Sequence, residues 1–177
     1  MKAIRRQSPG KMNVVEIPQP QPGPEEVLLR VGYCGICGSD IHRFHDDNDK
    51  WNRVVLGHEF SGVVEEAGSN AGNVEAGSRV AVAPLVPCHT CEYCQRGWYS
   101  QCMSYSFIGS RRNGAFAEYI TVPAANLVPL PQSVSLRQGT LLEPITVVLH
   151  PLMMLENQLG RLETAVVTGL GTIGLLA

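Results

Sequence analysis

Short runs in which apolar and polar residues alternate fill the first three quarters of the chain and predict β-strands. The runs are KAIRRQ, MNVVEI, EEVLLRVGYCG, HEFSGVVEEAG, SRVAVAP and GAFAEYITVP, all between residue 1 and about residue 131. Turn-forming clusters such as SPGK and QPQPGPEE separate them. Strands at this spacing predict a mainly β domain, either a barrel or a sandwich.

The pattern changes after residue 132. The apolar segment SVSLRQGTLLEPITVVLHPLMMLENQLG has Ser135 as a candidate N-cap and predicts helical connecting structure, which its prolines would bend or interrupt. The run ETAVVTGLGTIGLLA then predicts a strand, a tight glycine turn and the start of a helix. A parallel βαβ unit needs a second strand, so we expect this chain to be part of a longer protein.

Composition and charge point to a soluble protein with small-molecule partners. The chain has 177 residues, 44% of them hydrophobic and 17% charged, with a formal net charge of -2. This balance gives no electrostatic reason to expect nucleic-acid or membrane binding. The N-terminus lacks the apolar run of a secretory signal, which favours a cytoplasmic location. In a reducing cytosol, the six cysteines are expected to be ligands or nucleophiles rather than disulfides.

Four of these cysteines lie in one short loop, VPCHTCEYCQRGWYSQC. They are Cys88, Cys91, Cys94 and Cys102, in the spacing CxxCxxCx7C. Such spacing lets thiolates converge on one ion, and four sulfurs suit a closed tetrahedral zinc site that stabilises the fold and does not catalyse. Two disulfides and an iron–sulfur cluster are the alternatives. His89 is expected to be an exposed loop imidazole.

A second set of candidate ligands lies in GICGSDIH and LGHEFSG. The set consists of Cys37, Ser39, Asp40, His42, His58 and Glu59. Cysteine, histidine and carboxylate are ligands of catalytic zinc, which keeps one position open for water or substrate. The HExxH motif of zinc proteases is absent from the sequence. On an ideal strand His58 and Glu59 face opposite sides, so both can reach one ion only if the backbone is irregular near Gly57.

Taken together, these motifs resemble a known family. CGICGSDIH, LGHEFSG, the four-cysteine loop, GAFAEY and GLGTIG follow one another as in the zinc-containing medium-chain alcohol and polyol dehydrogenases. The resemblance implies a chaperonin-10 (GroES)-like β-barrel catalytic domain at residues 1–145, with a structural-zinc lobe at 84–105. Residues 146–177 would form a linker helix and the truncated start of a Rossmann α/β domain.

The resemblance also implies roles for single residues. Cys37 and His58 match catalytic zinc ligands, and the four loop cysteines match the structural set. The third catalytic ligand stays open between Glu59 and Glu143, the glutamate of LLEPIT, both of which resemble the polyol branch. Cys34 matches no ligand and is expected to be a small buried residue.

Three further residues are expected to support the chemistry. Zinc would lower the pKa of the substrate hydroxyl, so that an alkoxide can expel hydride to a nicotinamide. Ser39 and His42 occupy positions that relay the proton outward in this family. Asp40 would orient His58 through its second ring nitrogen.

The terminal AVVTGLGTIG carries the GxGxxG pattern of dinucleotide-binding folds. Gly169 would allow the turn, Gly171 the approach of the pyrophosphate and Gly174 the close packing of the helix. The residue that separates NAD from NADP lies about 20 residues further on in such folds. NAD is therefore preferred from the family, and NADP is not excluded.

Within the polyol branch, PLVPCHTCEYCQRGWYSQC, FIGSRRNGAFAEYI and LLEPITVVLH look most like dehydrogenases of sugar-alcohol phosphates. Arg111 and Arg112 offer a cationic clamp for such a phosphate, although adjacent arginines in a glycine-bounded turn are more often solvated charge. Free-polyol, 2,3-butanediol and L-threonine dehydrogenases are alternatives within the family. The alternative from another class is a non-catalytic zinc module that mediates assembly. The full-length protein is expected to be a homo-oligomer.

Overall fold

The computed structural model describes residues 1–160 and 164–177. The strands are β1 (Lys2–Ser8), β2 (Lys11–Glu16), β3 (Glu26–Cys34), β4 (Phe60–Ala67), β5 (Arg79–Val82), β6 (Leu85–Val86), β7 (Ser106–Phe107), β8 (Tyr119–Pro123) and β9 (Leu127–Pro129). The α-helices are α1 (Gly38–His45), α2 (Glu92–Gln95), α3 (Leu136–Gly139), α4 (Leu142–Leu159) and α5 (Thr172–Leu176), and 3-10 turns cover Asp49–Asn52, Tyr99–Gln101 and Ala124–Asn126. Each predicted run before residue 131 contains a strand, which confirms the mainly β prediction.

The core lies on a five-stranded antiparallel sheet in the order β8–β3–β4–β5–β9. Its buried side chains are mostly β-branched and include Val27, Leu29, Phe60, Val64, Val80, Val82, Ile120 and Val122. Burial of each such side chain contributes about 1.5–3 kcal/mol. The apolar positions that identified the strands in the sequence are therefore the positions that hold the sheet together.

The β1–β2 hairpin lies against the segment that leads into β8. The Ile4 N–H donates to the Phe116 carbonyl at 2.7 Å, and the Glu118 N–H donates to the Lys2 carbonyl at 3.0 Å. Isolated bridges of β1 to Ala117 and Val55 continue this contact. The hairpin thus covers an edge that would otherwise carry unpaired backbone groups, which favours the barrel over the sandwich.

A lobe projects from the sheet between β5 and β8. Its base is the short β6–β7 pair, and the four-cysteine loop lies between these two strands. Asn126 is buried beneath it and donates to the carbonyls of Ala83 and Leu85 at 2.6 and 2.7 Å. These two hydrogen bonds attach the base of the lobe to the end of the central sheet.

The helical segment after residue 132 is confirmed in type but differs in detail. Ser135 caps α3, because its Oγ accepts from the Gln138 N–H at 3.2 Å. Of the two effects predicted for the prolines, interruption does not occur at Pro151, since α4 runs through it. The carbonyl that this proline leaves unbonded belongs to Val147, which is 50% exposed and can bond to water. The proposed domain boundary at residue 145 falls inside α4.

The predicted strand near the C-terminus is not formed. Residues 164–170 have no regular structure, whereas the predicted helix start is present as α5. A strand is stable only when its N–H and C=O groups pair with a neighbour, and no neighbouring strand is available here among the described residues. Glu163, the first residue of this run, lies outside the described residues. None of the described helices has both the length and the hydropathy to cross a bilayer.

Candidate metal centres

Pairing of β3 with β4 brings the candidate catalytic ligands together. The register places Cys34, at the end of β3, opposite Phe60, at the start of β4. Cys37 follows this pair as the N-cap of α1, and His58 precedes it on the other chain segment. Two residues that are far apart in the sequence therefore meet at one end of the sheet.

The backbone at Gly57 has the irregularity that two adjacent ligands require. Its φ is +94°, in the left-handed region that favours glycine, and the regular strand begins only at Phe60. The Ala115 N–H holds the turn by donating to the Gly57 carbonyl at 2.9 Å. His58 and Glu59 can therefore approach the same point although they are consecutive in the chain.

Cys37, His58 and Glu59 form a group that can hold a metal ion. One ligand atom of each lies within 4.8 Å of the corresponding atoms of the other two. Glu143, in the first turn of α4, is outside this group as the described residues are arranged. Thiolate, imidazole and carboxylate together fit a zinc ion that keeps a further position open.

Asp40 faces the imidazole of His58, as expected for a residue that orients a ligand. The Asp40 Oδ1 lies 3.6 Å from the His58 Nδ1, and neither atom makes a hydrogen bond within the described part of the chain. Burial tends to lower the pKa of His58, but Asp40, with Glu143 and Glu59, raises it above its usual value. A metal at Nε2 must compete with this proton, so metal binding should weaken as the pH falls.

The remaining polar residues of α1 are arranged around Arg43. Ser39 is half-buried, and its Oγ accepts a hydrogen bond from Arg43 Nη1 at 2.9 Å. The same Nη1 lies 3.5 Å from Asp40 Oδ1. His42 is exposed. Arg43 is absent from the residues identified in the sequence, although its spacing of three and four residues from Asp40 and Ser39 on a helix is a signal for such contacts.

Glu143 and Cys34 lie close enough to this centre for their pKa values to respond to it. Burial raises the pKa of Glu143, His58 opposes the rise, and Glu59 and Asp40 add to it. Burial also raises the pKa of Cys34 to about 12, with the two carboxylates adding to the effect. Cys34 is therefore a neutral, partly buried thiol, in line with a packing role.

Alanine at Gly57 is expected to lower the free energy of unfolding by about 3 kcal/mol, because a left-handed alanine costs roughly 1–2 kcal/mol and overpacking adds 1–3 kcal/mol. Its Cβ would lie 2.6 Å from the Phe116 ring and 2.9 Å from the Cys34 Sγ. Gly72 is a matched control, since its φ is +73° but its Cβ would meet no atom within 4 Å. Urea denaturation should show a cost of only about 1 kcal/mol for Gly72→Ala. Equal costs at both positions would contradict the packing argument.

The four loop cysteines form the second group that can hold a metal. One sulfur from each of Cys88, Cys91, Cys94 and Cys102 lies within 4.8 Å of the others. The Sγ atoms of Cys88 and Cys94 are 3.9 Å apart, as are those of Cys91 and Cys102. Sulfurs bound to one tetrahedral zinc are about 3.8 Å apart, whereas those of a disulfide are bonded at about 2 Å. The arrangement therefore fits a single zinc ion.

The loop also supplies hydrogen bonds that stabilise thiolates. Donors from Thr90, together with the Cys91 N–H, lower the pKa of Cys88 to about 5. Backbone N–H groups lower the pKa of Cys91 as well, whereas burial raises the pKa of Cys94 to about 12. Cys94 therefore needs a nearby cation to ionise near neutral pH. His89 is exposed, as expected.

The two arginines of the GSRRNG turn have different surroundings. The Arg112 Nη2 forms an ion pair of 2.5 Å with the Glu26 Oε1. Arg111 is exposed, and its guanidinium stacks 3.8 Å from the centre of the Tyr105 ring. Neither belongs to the group of Cys37, His58 and Glu59.

The three glycines of the C-terminal motif have the local geometry that the motif requires. Gly169 has a φ of +93°, and Gly171 is the N-cap of α5. A Cβ on Gly174 would collide with the Gly169 carbonyl. These features allow the tight turn and close packing, while a cofactor role for them stays a prediction.

Comparison with known proteins identifies the class to which this arrangement belongs. Residues 23–132 match the family of the alcohol dehydrogenase GroES-like domain. The chain belongs to this family, which confirms the GroES-like fold and the resemblance inferred from the motifs.

Individual relatives indicate which members of the family the chain resembles. The chain is 40% identical to galactitol 1-phosphate 5-dehydrogenase of Escherichia coli K12, over 100% of this chain and 51% of the relative. The crystal structure of the Escherichia coli enzyme superposes with a TM-score of 0.92 over 99% of this chain and 51% of that one. D-arabitol-phosphate dehydrogenase of Enterococcus avium is 35% identical, over 99% of this chain and 51% of the relative.

A further solved structure contains a cofactor. The alcohol dehydrogenase RspB of Escherichia coli CFT073, solved with NADH, is 34% identical, with a TM-score of 0.84 over 99% of this chain and 51% of that one. The chain spans about half the length of the curated relatives it matches.

Proposed function

We propose that this chain supplies the zinc centre of an NAD-linked dehydrogenase that oxidises a secondary alcohol of a polyol phosphate. The observation that carries the proposal is the convergence of Cys37, His58 and Glu59 within 4.8 Å at one end of the β3–β4 pair. Three ligands leave a coordination position for substrate, which a closed structural site lacks. The names of two relatives, which act on galactitol 1-phosphate and D-arabitol phosphate, support the substrate class.

Each candidate ligand has a distinct place in this proposal. Cys37, His58 and Glu59 would hold the catalytic zinc, which when bound polarises the substrate hydroxyl and lowers its pKa. Glu59 is preferred to Glu143 as the third ligand because its carboxylate is within the group. Glu143 would stand beside the ligands, close enough to the His58 and Glu59 charges to respond to them.

The proton released from the substrate would leave along α1. Ser39 accepts a hydrogen bond from Arg43, which leaves its own O–H free to donate towards the substrate oxygen. His42 lies three residues further on the same helix face and is exposed, so it can pass the proton to water. Asp40 would keep His58 in the tautomer that presents Nε2 to the metal.

The four loop cysteines are proposed to hold a structural zinc and take no part in the chemistry. Gly169, Gly171 and Gly174 would accommodate the pyrophosphate of NAD, the cofactor suggested by the NADH bound to RspB. NADP stays compatible with the proposal. For the substrate phosphate we favour Arg111 over Arg112, since Arg112 is already paired with Glu26.

A substrate panel tests the proposal in the full-length protein. Galactitol 1-phosphate and D-arabitol phosphate, each with NAD, should give a kcat/KM about tenfold or more above that of the free polyols, as expected for one charged hydrogen-bonding clamp. Absorbance of the reduced nicotinamide measures the rate. Equal rates on free polyols would remove the phosphate assignment, and a preference for 2,3-butanediol or L-threonine would replace the substrate class.

A further inference from the structure

We propose that Arg43 is a positioning residue of the Cys37–His58–Glu59 centre. It acts through Asp40, which contacts both the cysteine and the histidine segments of the site. The inference rests on the proposed function, because it assumes that this group of ligands holds the catalytic metal.

Asp40 is a buried carboxylate that needs a lasting countercharge. Its side chain is 2% exposed. Within the described residues, the basic side chains within 4.0 Å of it are Arg43, at 3.5 Å, and His58, at 3.6 Å. A histidine that ligates zinc is neutral, so it cannot balance the carboxylate once the metal is bound. The charges of Cys37 and Glu59 would balance that of the zinc itself, so Arg43, which is charged at every relevant pH, is the cation that remains for Asp40.

Any contact that fixes the Asp40 carboxylate also fixes the positions of two ligands, Cys37 and His58. The Asp40 Oδ2 accepts a hydrogen bond from the Cys37 N–H at 3.1 Å, and its Oδ1 faces the His58 Nδ1. A rotation of this carboxylate would therefore release the N-cap of α1 and the imidazole together. Partners of metal ligands orient the ligands in this way and are needed for full affinity.

Arg43 is held rigidly enough to impose this geometry. Its Nη1 donates to Ser39 Oγ at 2.9 Å, and its guanidinium lies 5.2 Å from the centre of the Trp51 ring. Trp51 is 9% exposed, and its Nε1 donates to Asp46 Oδ2 at 3.0 Å. A lysine could supply the charge, but it lacks the planar guanidinium that lies over the indole while its Nη1 reaches the serine and the carboxylate.

The test compares three variants. Arg43→Met removes the charge and keeps the length, Arg43→Lys keeps the charge, and Lys50→Met is the control. The Lys50 Nζ also lies near the Trp51 ring, at 4.2 Å, but Lys50 makes no ion pair with Asp40. The measurements are metal content per chain, release of each zinc to a chelator, and the visible spectrum of the protein with cobalt at the Cys37–His58–Glu59 site.

Arg43→Met should lower the metal affinity of the Cys37–His58–Glu59 site about ten- to a hundredfold and shift the cobalt bands, because it removes a partner of the ligands. Arg43→Lys should recover part of the loss. Lys50→Met should match the wild type, and the loop zinc should be unchanged in all three variants. The cobalt spectrum reports the ligand geometry directly and would not move if Arg43 only stabilised the fold.

Wild-type affinity and an unshifted cobalt spectrum in Arg43→Met would overturn the inference, as would an equal loss in Lys50→Met. If Arg43→Met does not fold, Arg43→Lys decides, and a wild-type spectrum in that variant overturns the inference. A wild-type protein that binds only one zinc would instead refute the proposed function. The two failures are therefore distinguishable.

Discussion

Replacing His58 with alanine is expected to lower the zinc content of the protein from about two ions per chain to about one, because only one of the two ligand groups is broken. His58 is 4% exposed and is one of the three ligands of this group. Alanine has no side-chain nitrogen to bind the ion, and the two remaining ligands, Cys37 and Glu59, bind zinc only weakly. The loop site has no residue in common with this group and should keep its ion.

The same variant should abolish hydride transfer in the full-length protein. Loss of the metal removes several kcal/mol of charge stabilisation in the transition state, which corresponds to a rate lower by about a thousandfold or more. Cys37→Ala should have the same effect on metal content and rate. Plasma emission spectrometry gives the zinc content, and nicotinamide absorbance gives the rate.

His45→Ala is the matched control for this experiment. His45 lies at the exposed end of α1, where its ring packs against Phe44 at 4.7 Å, and it belongs to neither ligand group. This variant should keep about two zinc ions and full activity. Full activity in His58→Ala or Cys37→Ala would refute the catalytic assignment. About one zinc in the wild-type protein would favour the non-catalytic assembly module.

The main strands could be predicted from the sequence because their apolar residues recur with the period of a pleated sheet. The strands β6, β7 and β9 were not predicted, since two or three residues are too few to show a period. The strand expected in the C-terminal run failed for a different reason. Its residues are typical of a strand, but the N–H and C=O groups of a strand also need a neighbouring strand with which to form hydrogen bonds.

The sequence predicts the two candidate metal sites to different extents. The loop cysteines are local in the sequence, so their spacing favoured a zinc site over the two alternatives, disulfides and an iron–sulfur cluster. The sequence could not show whether Glu59 or Glu143 lies nearer to Cys37 and His58. That depends on the backbone turn at Gly57 and on where α4 begins. The pairing of Arg112 with Glu26 was also hidden, since the two residues are 86 positions apart.

Substituting Cys94 with serine is expected to release the loop zinc and unfold the lobe while the barrel stays folded. The lobe has almost no apolar core, because Cys94 and Cys102 are buried whereas Trp98, Tyr99 and Met103 are exposed. Binding of a structural zinc by four thiolates contributes roughly 10–16 kcal/mol, so the metal replaces the core that this segment lacks. A serine hydroxyl is a poor substitute for the thiolate that completes the site.

Limited trypsin digestion should detect this local unfolding. Arg96 is the one lysine or arginine between residues 84 and 105, so cleavage of an open lobe falls after residue 96. The wild-type protein should resist this cut, because a protease needs an unfolded segment of several residues. Zinc content should fall from about two ions per chain to about one, with the ion at the Cys37 site retained.

Cys34→Ala is the matched control for Cys94→Ser. Cys34 is a free thiol outside both ligand groups, so its loss should leave both zinc ions and the protease resistance unchanged. Retention of about two zinc ions in Cys94→Ser would contradict the structural-zinc assignment. Loss of both ions would show instead that the lobe and the barrel unfold as one unit, because none of the three ligands Cys37, His58 and Glu59 lies in the lobe.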